Sequence, residues 1–599
     1  MVHKFWVKPV AGVVIALVAI VLYSFKPEGT YTAAGAVARY TFEFNQNVIA
    51  LDKAAEAYKN GTLPLDSLQH TLVRTRLAYK KAEFYLAFHY PEFIKENING
   101  APLLHIEKEG TQPKVLPPVG LQVLDEMIFS DDPAQQKNEI EATAKRLKAK
   151  YTTLYKSIET NGLRAQYGIM AMRIQLVRIT SLGITGFDTP GSLNALAEAK
   201  ASLQGMKEFY AQEYAQNANF NTNISLLEFG IGQLSAQTSF NDFDRLAFIK
   251  ECIDPLYKNL GMSDNSVNKN LAQTSSWNPS STSIFGADFL NPYFFSQLTP
   301  QEDNAQLRAL GKALFYDPIL SAFTDGVPKS LSNVQGKTVL RNAPTLLNAV
   351  YADRYFYDLR AFTLEQQAEH VIFNPDEFNT AYSAILTKLE GSKAYKQQFK
   401  KLFGKKGITR QNFSKALASY VLSLQSFNSD FDTYIRGEST ALSAEAKQGF
   451  NLFMGKANCA TCHFAPTFAG LVPPLYNENE SEILGVLANP HAAKPAQALD
   501  QDPGRLGSQV YSEYAWIFER SVKTTTVRNA ALTAPYFHNG AYGTLEEVIE
   551  FYNQGGGEGL GFTVTNQTLP PDALNLTPAE VKALVAFITS LNDTSAARQ

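Results

Sequence analysis

Cys459-Ala460-Thr461-Cys462-His463 is the stretch on which the reading of this chain turns. Two thiols at this spacing, with a histidine directly after them, can anchor a haem through two thioethers while the histidine turns inward as proximal iron ligand. The same five residues also suit a zinc or redox site, so the surrounding sequence has to decide.

Outward from this stretch the chain repeats itself. Gly449-Phe450-Asn451-Leu452-Phe453, six residues before Cys459, echoes Gly311-Lys312-Ala313-Leu314-Phe315. Arg528-Asn529-Ala530 echoes Arg341-Asn342-Ala343, and Thr544-Leu545-Glu546 echoes Thr363-Leu364-Glu365. One module is therefore present twice. In the first copy Phe315 leads through Asp317, Leu320 and Ser321 directly to Ala322-Phe323-Thr324-Asp325-Gly326, with no cysteine. The boundary signals are clear. Thr299-Pro300-Gln301-Glu302 reads as a capping box that launches a helix through Leu310, Leu314 and Phe315. Ser443 is placed to cap the helix expected to hold His463, and Thr577-Pro578-Ala579-Glu580 to cap a closing helix with Val581, Leu584, Val585, Ile588 and Leu591 on one face. That last helix is expected to pack on the one preceding the cysteines. Residues 470–522 form a Pro-, Asn- and Ala-rich insertion, read as loops where a redox partner could dock.

From about Pro292 to Leu591 the sequence resembles the bacterial dihaem cytochrome c peroxidase and MauG family, two cytochrome c-like domains in tandem. The residues that carry the resemblance are Leu310 to Asp317, Arg341 to Thr345, Asp502-Pro503-Gly504-Arg505, and Leu532 to Gly540 with its Pro535-Tyr536-Phe537-His538-Asn539 core. The chain departs from the family where a first CxxCH is expected, between Ser321 and Ala322. The resemblance thus implies one covalent haem c, held by Cys459 and Cys462 with His463 as proximal ligand. It implies Tyr552, fourteen residues beyond His538, as a MauG-like distal ligand, although core packing of that tyrosine and ligation by His538 stay open. A phenolate oxygen favours ferric iron and lowers the reduction potential.

In the first module Glu377 matches the family's catalytic acid; a solvated helix-cap carboxylate is the other reading. Tyr357 matches a tryptophan between the haems and is either an electron relay or a packing residue. A calcium ion between the modules is implied as well, bound by the Asn342 side chain and the carbonyls of Thr533 and Pro535, unless Asn342 is simply a turn residue before Pro344.

The remaining half carries no such chemistry. With 599 residues, 45% hydrophobic and 19% charged, the chain is globular and long enough for three or four domains. A net charge of -3 leaves no electrostatic footprint for nucleic acid. Lys4 and Lys8 precede an uncharged apolar run from Val10 to Tyr23, the layout of a signal peptide or uncleaved anchor. From about Thr30 to Leu271 the spacing is helical. Asp66 caps one expected helix, with Leu68, Leu72, Tyr79, Ala82 and Leu86 inward and Pro91 at its end; Leu147, Tyr151, Leu154 and Ile158 mark a second; Ser192 starts a third with Leu193, Leu196, Leu203 and Met206. Pro118 to Asp125 resembles helices of imelysin-like periplasmic domains, over the bundle only. That family's histidine-acid motif is not evident, because Lys108 stands three places after His105, so no metal site is carried over. His70, His89 and His105 read as surface or core residues, and Cys252 as a buried thiol.

The expected fold is mainly α: a signal peptide or membrane anchor (1–27), an N-terminal helical bundle (28–273), a linker (274–290), a first cytochrome c-like module without CxxCH (291–438) and a second with covalent haem (439–599). The expected function is that of an exported, periplasmic peroxidase-like oxidoreductase. It would reduce hydrogen peroxide with electrons from a small cytochrome or cupredoxin, and be held at the membrane by its N-terminal segment. A non-enzymatic single-haem carrier or redox sensor is the alternative, since the family mechanism uses two haems.

Overall fold

A computed structural model describes residues 35–106, 114–163, 167–237, 239–262, 275–317, 339–375, 381–510 and 515–593. The N-terminal apolar run, the Ser321–Ala322 junction and Glu377 lie outside the described residues. Among the described residues, no helix is long and apolar enough to cross a membrane.

The protein is mainly helical. Its first part contains α1 (Gly35–Lys59), α2 (Leu65–His89), α3 (Pro91–Asn97), α4 (Leu121–Ile128), α5 (Lys137–Asn161), α6 (Gly168–Arg178), α7 (Ala195–Glu213), α8 (Phe220–Ala236), the single turn α9 (Arg245–Phe248) and α10 (Asp254–Met262). α6 and α9 each run on into a π-helical turn, Ile179–Gly183 and Ile249–Ile253. The expected inward positions are buried: Leu68, Leu72, Tyr79, Ala82 and Leu86 on α2, and Leu147, Tyr151, Leu154 and Ile158 on α5. The starts differ. Pro64 precedes α2 and Asp66 sits in its first turn, where a carboxylate complements the helix dipole without capping. α7 begins after Asn194, and Leu193 is an exposed left-handed residue because the chain must turn sharply there.

Spacing gave no hint of the polar centre of these helices. Arg76, Lys80 and Glu83 of α2, Asp125 of α4, Glu198 of α7 and Asp188 of the connecting loop are all buried. Arg76 pairs with Glu198, and Lys80 with Asp188 and Glu83. Arg178 reaches Glu83 at 3.2 Å, and Gln122 donates to Asp188 at 2.7 Å. Burial alone would raise the pKa of Asp188, but Lys80, Arg178 and Arg76 together hold it below the usual carboxylate value. Such a network locks helix register, since removing one partner strands a buried charge at about 3–5 kcal/mol.

The stretch read as a linker is not a tether. Trp277, Ile284, Phe285, Phe289 and Leu290 are core residues, Trp277 bridges Leu290, and Ser276 Oγ bonds the Leu475 carbonyl. Its serines serve as hydrogen-bonding groups in a packed wedge. Asp254 of α10 closes that wedge, accepting from Ile284 N at 2.8 Å and Ser283 Oγ at 3.0 Å.

The second half contains α11 (Ala305–Phe315), α12 (Leu364–Phe373), α13 (Tyr382–Gly391), α14 (Lys393–Phe403), α15 (Arg410–Ser423), α16 (Asp430–Ile435), α17 (Ala444–Phe453), α18 (Leu545–Asn553), α19 (Gly556–Gly559) and α20 (Pro578–Ser590). Thr299 and Glu302 do bond reciprocally, but as an isolated turn; Asn304 caps α11, accepting from the Gln306 and Leu307 amides. The sequence repeat is a structural repeat. α11 crosses α15 where a Cβ on Gly311 would overlap the Ala416 carbonyl and lie 2.9 Å from Tyr420 Cβ. α17 crosses α20 in the same way, Gly449 facing the Ala583 carbonyl and lying 2.8 Å from Phe587 Cβ. Thr363 and Thr544 cap α12 and α18 alike. The copies are clamped together by arginines from the repeated motif. Arg341 binds Asp502 and Asp358, and the fully buried Arg528 grips Asp432 at 2.8 and 2.9 Å.

Two outcomes are expected. Gly311→Ala and Gly449→Ala each force a helix pair apart and should cost about 1–3 kcal/mol or more; thermal unfolding that left either variant unchanged would remove the close crossing. Burial, partly opposed by the Ile284 and Ser283 hydrogen bonds, pushes the Asp254 carboxyl from 3.8 up to about 6. The folded state therefore binds this proton more tightly than the unfolded one. The stabilisation is complete below about pH 4 and is lost as pH rises through 6. Asp254→Asn should gain in Tm relative to wild type between pH 4 and pH 7, and a constant difference would contradict this.

Candidate functional site

α17 ends at Phe453, and the chain then turns through Gly455 and left-handed Asn458 into a 3-10 turn, Cys459–Thr461. His463 follows that turn and is not on the helix that Ser443 caps. Ser443 Oγ accepts from Ala446 N at 3.1 Å and so sets the start of α17, one element earlier. The turn puts Cys459 and Cys462, three residues apart, on one side; both thiols are free. The His463 amide returns to the Cys459 carbonyl at 2.9 Å, and its ring Nδ1 lies 3.3 Å from the Phe468 carbonyl. That carbonyl fixes the tautomer that leaves Nε2 with its lone pair, the arrangement a metal-ligating histidine uses.

Cys459, Cys462, His463 and Tyr552 are each partly accessible, yet all are densely enclosed by protein. The Tyr552 phenol lies near both thiols within this enclosed region. Burial lowers the His463 pKa to about 4, against smaller upward effects of the Phe468 and Thr525 backbone, and keeps the imidazole neutral. Burial also raises Cys459 to about 12, so the thiols are unionised. Tyr552, on the last turn of α18, has its phenol pKa raised by burial and then by Cys462 and Cys459. Its hydroxyl therefore shares the space the cysteines face, and among the described residues no group hydrogen-bonds it. Two thiols and a neutral imidazole within five residues, with a phenol near both thiols, are a donor set that fits a c-type haem.

His538 is held elsewhere. Its Nε2 lies 3.4 Å from Asp500 Oδ1, its carbonyl accepts from Asn342 N at 2.6 Å, and its ring meets Tyr357 edge-on at 6.3 Å. Tyr357 thus lies at the junction of the two repeats, its carbonyl accepting from Lys523 N at 2.8 Å. Burial pushes its pKa up to about 12. The expected calcium ligands only partly converge. Asn342 Nδ2 donates to the Pro535 carbonyl at 2.6 Å, which brings these two together, while Thr533 is exposed. His70 and His105 are exposed, and Cys252 is buried with Sγ 3.3 Å from the Leu226 carbonyl.

Two acids near Cys462 escaped sequence reading. Glu480 and Glu482 alternate on and beside the short strand β1 (Ser481–Glu482), which pairs antiparallel with β2 (Val522–Lys523). Glu482 hydrogen-bonds Cys462 and Thr568, and burial followed by Glu482 pushes the Glu480 carboxyl up to about 8. In the run Glu478-Asn479-Glu480-Ser481-Glu482 nothing distinguishes such acids from a solvated edge. A surface cleft of about 480 Å³, lined by Tyr293, Arg308, Phe427, Arg436 and Asp593, lies apart from the cysteines. Its arginines are already paired with Asp303 and Glu438.

Comparison with known proteins places the chain among haem peroxidases. The family model for di-haem cytochrome c peroxidase matches residues 305–440, a span without any cysteine. Cytochrome-c peroxidase IdrP2 of Pseudomonas sp. is 31% identical over 318 residues, covering 48% of this chain and 82% of its own length. Cytochrome c551 peroxidase of Nitrosomonas europaea is 30% identical over 310 residues, covering 49% and 81%. Methylamine utilization protein MauG of Methylorubrum extorquens is 29% identical over 308 residues, covering 48% and 79%. By its motifs and these relatives, the chain belongs to the di-haem cytochrome c peroxidase and MauG family of haem-dependent, peroxidase-type oxidoreductases.

Proposed function

We propose that this protein is an exported c-type cytochrome that reduces hydrogen peroxide at the site of His463, taking electrons from a small redox protein. The observation that carries this reading is the grouping of Cys459, Cys462 and His463 at one turn with Tyr552 close to both thiols. Cys459 and Cys462 would hold the haem covalently, His463 Nε2 would ligate from one side, and Tyr552 would supply an oxygen from the other. Bound there, the haem supplies an iron centre that accepts electrons singly and passes them to peroxide.

The chain's own residues do the rest. Reducing one peroxide to two waters consumes two electrons and two protons, and the enclosed Glu480 and Glu482 pair stands beside Cys462 to hold a proton. The aromatic cluster of Phe453, Phe468 and Phe587 walls this enclosed region and keeps bulk water from the imidazole side. Tyr357, packed on His538 where the repeats meet, is suited to pass an electron between the modules. Lys4, Lys8 and the Val10–Tyr23 run support export and a membrane anchor. The matched span 305–440 lacks cysteine, which favours a single covalent haem and leaves a role as electron carrier as the second reading.

Pyridine haemochrome on exported protein should give one haem per chain, and peroxide should then change its visible spectrum. One haem without any peroxide response would support the carrier; two haems would show a noncovalent first site and restore Glu377 as its acid. Tyr552→Phe should alter the ferric spectrum and shift the midpoint potential upward. An unchanged spectrum would make Tyr552 a packing residue.

A further inference from the structure

Arg245, at the start of α9, stands where the N-terminal helices meet the cysteine turn. Its side chain is fully buried. Nε donates to the Ile184 carbonyl at 2.8 Å, Nη2 to that of Phe240 at 2.8 Å and Nη1 to that of Phe243 at 3.2 Å. The guanidinium also lies 4.4 Å from the Phe240 ring centroid. Every one of these partners is neutral. Buried Arg76 and Arg528 face carboxylates, whereas Arg245 forms no salt bridge with any described residue. Its nearest acid in sequence, Asp244, accepts from Ala247 N and Asn451 Nδ2 instead. Burial pulls the guanidinium pKa down to about 10, which still leaves it charged at neutral pH.

This charge lies flat against Gly455. A Cβ on Gly455 would lie 2.7 Å from both Cζ and Nη1 of Arg245. Asn451, one turn earlier on α17, fixes the contact, accepting from Leu246 N at 3.0 Å and bonding Asp244 at 3.0 Å. Cys459 follows four residues after Gly455, so the two Cα atoms are at most about 14 Å apart even if the chain were extended. The Gly455 carbonyl to Asn458 N bond of 2.8 Å shows that the chain turns back.

We propose that Arg245 is a fixed positive charge by which the N-terminal helices raise the reduction potential of the haem anchored at Cys459–His463. It rests on the haem reading of that turn. In a low-dielectric interior a permanent cation favours the reduced, less positive iron over the oxidised one. The effect opposes that of a tyrosine oxygen ligand, so the site stays reducible by a donor while keeping Tyr552. Arg245 touches no reacting atom and acts as a tuning residue.

The test is a spectroelectrochemical titration of the haem-loaded full chain, with haem content measured on the same samples. Arg245→Met should shift the midpoint to more negative potential at unchanged haem content, while Arg245→Lys should keep most of the wild-type value. If the methionine variant does not fold, Gly455→Ala supplies the same test, since its methyl group forces the guanidinium off the turn and should also lower the potential. Identical potentials in wild type and the neutral or displaced variants would overturn the proposal. A lysine variant shifted as far as the methionine variant would overturn it too, by showing a packing effect. Wild-type chain without haem would overturn it together with the haem reading; haem present at an unshifted potential overturns it alone.

Discussion

The structure depends on one steric constraint used twice: two helices that approach until one backbone rests on the other. At Gly311 and again at Gly449 there is room for a hydrogen and nothing larger, because a carbonyl of the partner helix occupies the place of a Cβ. That contact brings α17 onto α20 and packs Phe450, Phe453 and Phe587 with Phe431 and Phe468, largely edge to face. The aromatic cluster in turn positions the turn that carries Cys459 and Cys462, and the loop whose Phe468 carbonyl orients His463. In the first repeat the same crossing survives without any cysteine to serve. The crossing is therefore a property of the module's packing, separable from haem attachment.

A second dependence runs across the chain. The N-terminal helices are built into the haem-anchoring module. Phe187 meets Phe464 edge-on at 5.6 Å, directly beside His463. The π-helical turn Ile179–Gly183 packs beside Cys459–Thr461, and Lys95 pairs with Glu478 next to the acidic pair. The buried ion network around Asp188 holds the loop that delivers Phe187. Rigidity established deep among the first helices thus reaches the second half of the chain, and the haem turn is bounded on one side by residues from outside its own module.

Legibility followed the range of the interaction. Capping at Ser443 and Thr577, the inward faces of α2 and α5, and the repeat itself are local patterns, and each was readable. The failures were cases where a local signal was outweighed by packing. Thr299 and Glu302 form their reciprocal bonds, yet the helix starts at Asn304. A serine-rich stretch looked like a tether because hydroxyls are as common in linkers as in buried turns. Glu480 and Glu482 carried no signal, since alternating acids on a strand mark a solvated face unless another part of the chain covers it.

By itself the sequence determined the chemistry available: two thiols and an imidazole at haem-attachment spacing, a tyrosine fourteen residues beyond His538, and the missing first motif. These are covalent facts fixed by residue order. Only the tertiary structure decided which groups come together. It turned Tyr552 towards the cysteines, tied His538 to Asp500, covered Glu480 and Glu482, and set Arg245 of a distant helix against Gly455. Such choices arise from contacts between residues hundreds of positions apart, where burial and electrostatics depend on what covers a group and on none of its neighbours in sequence.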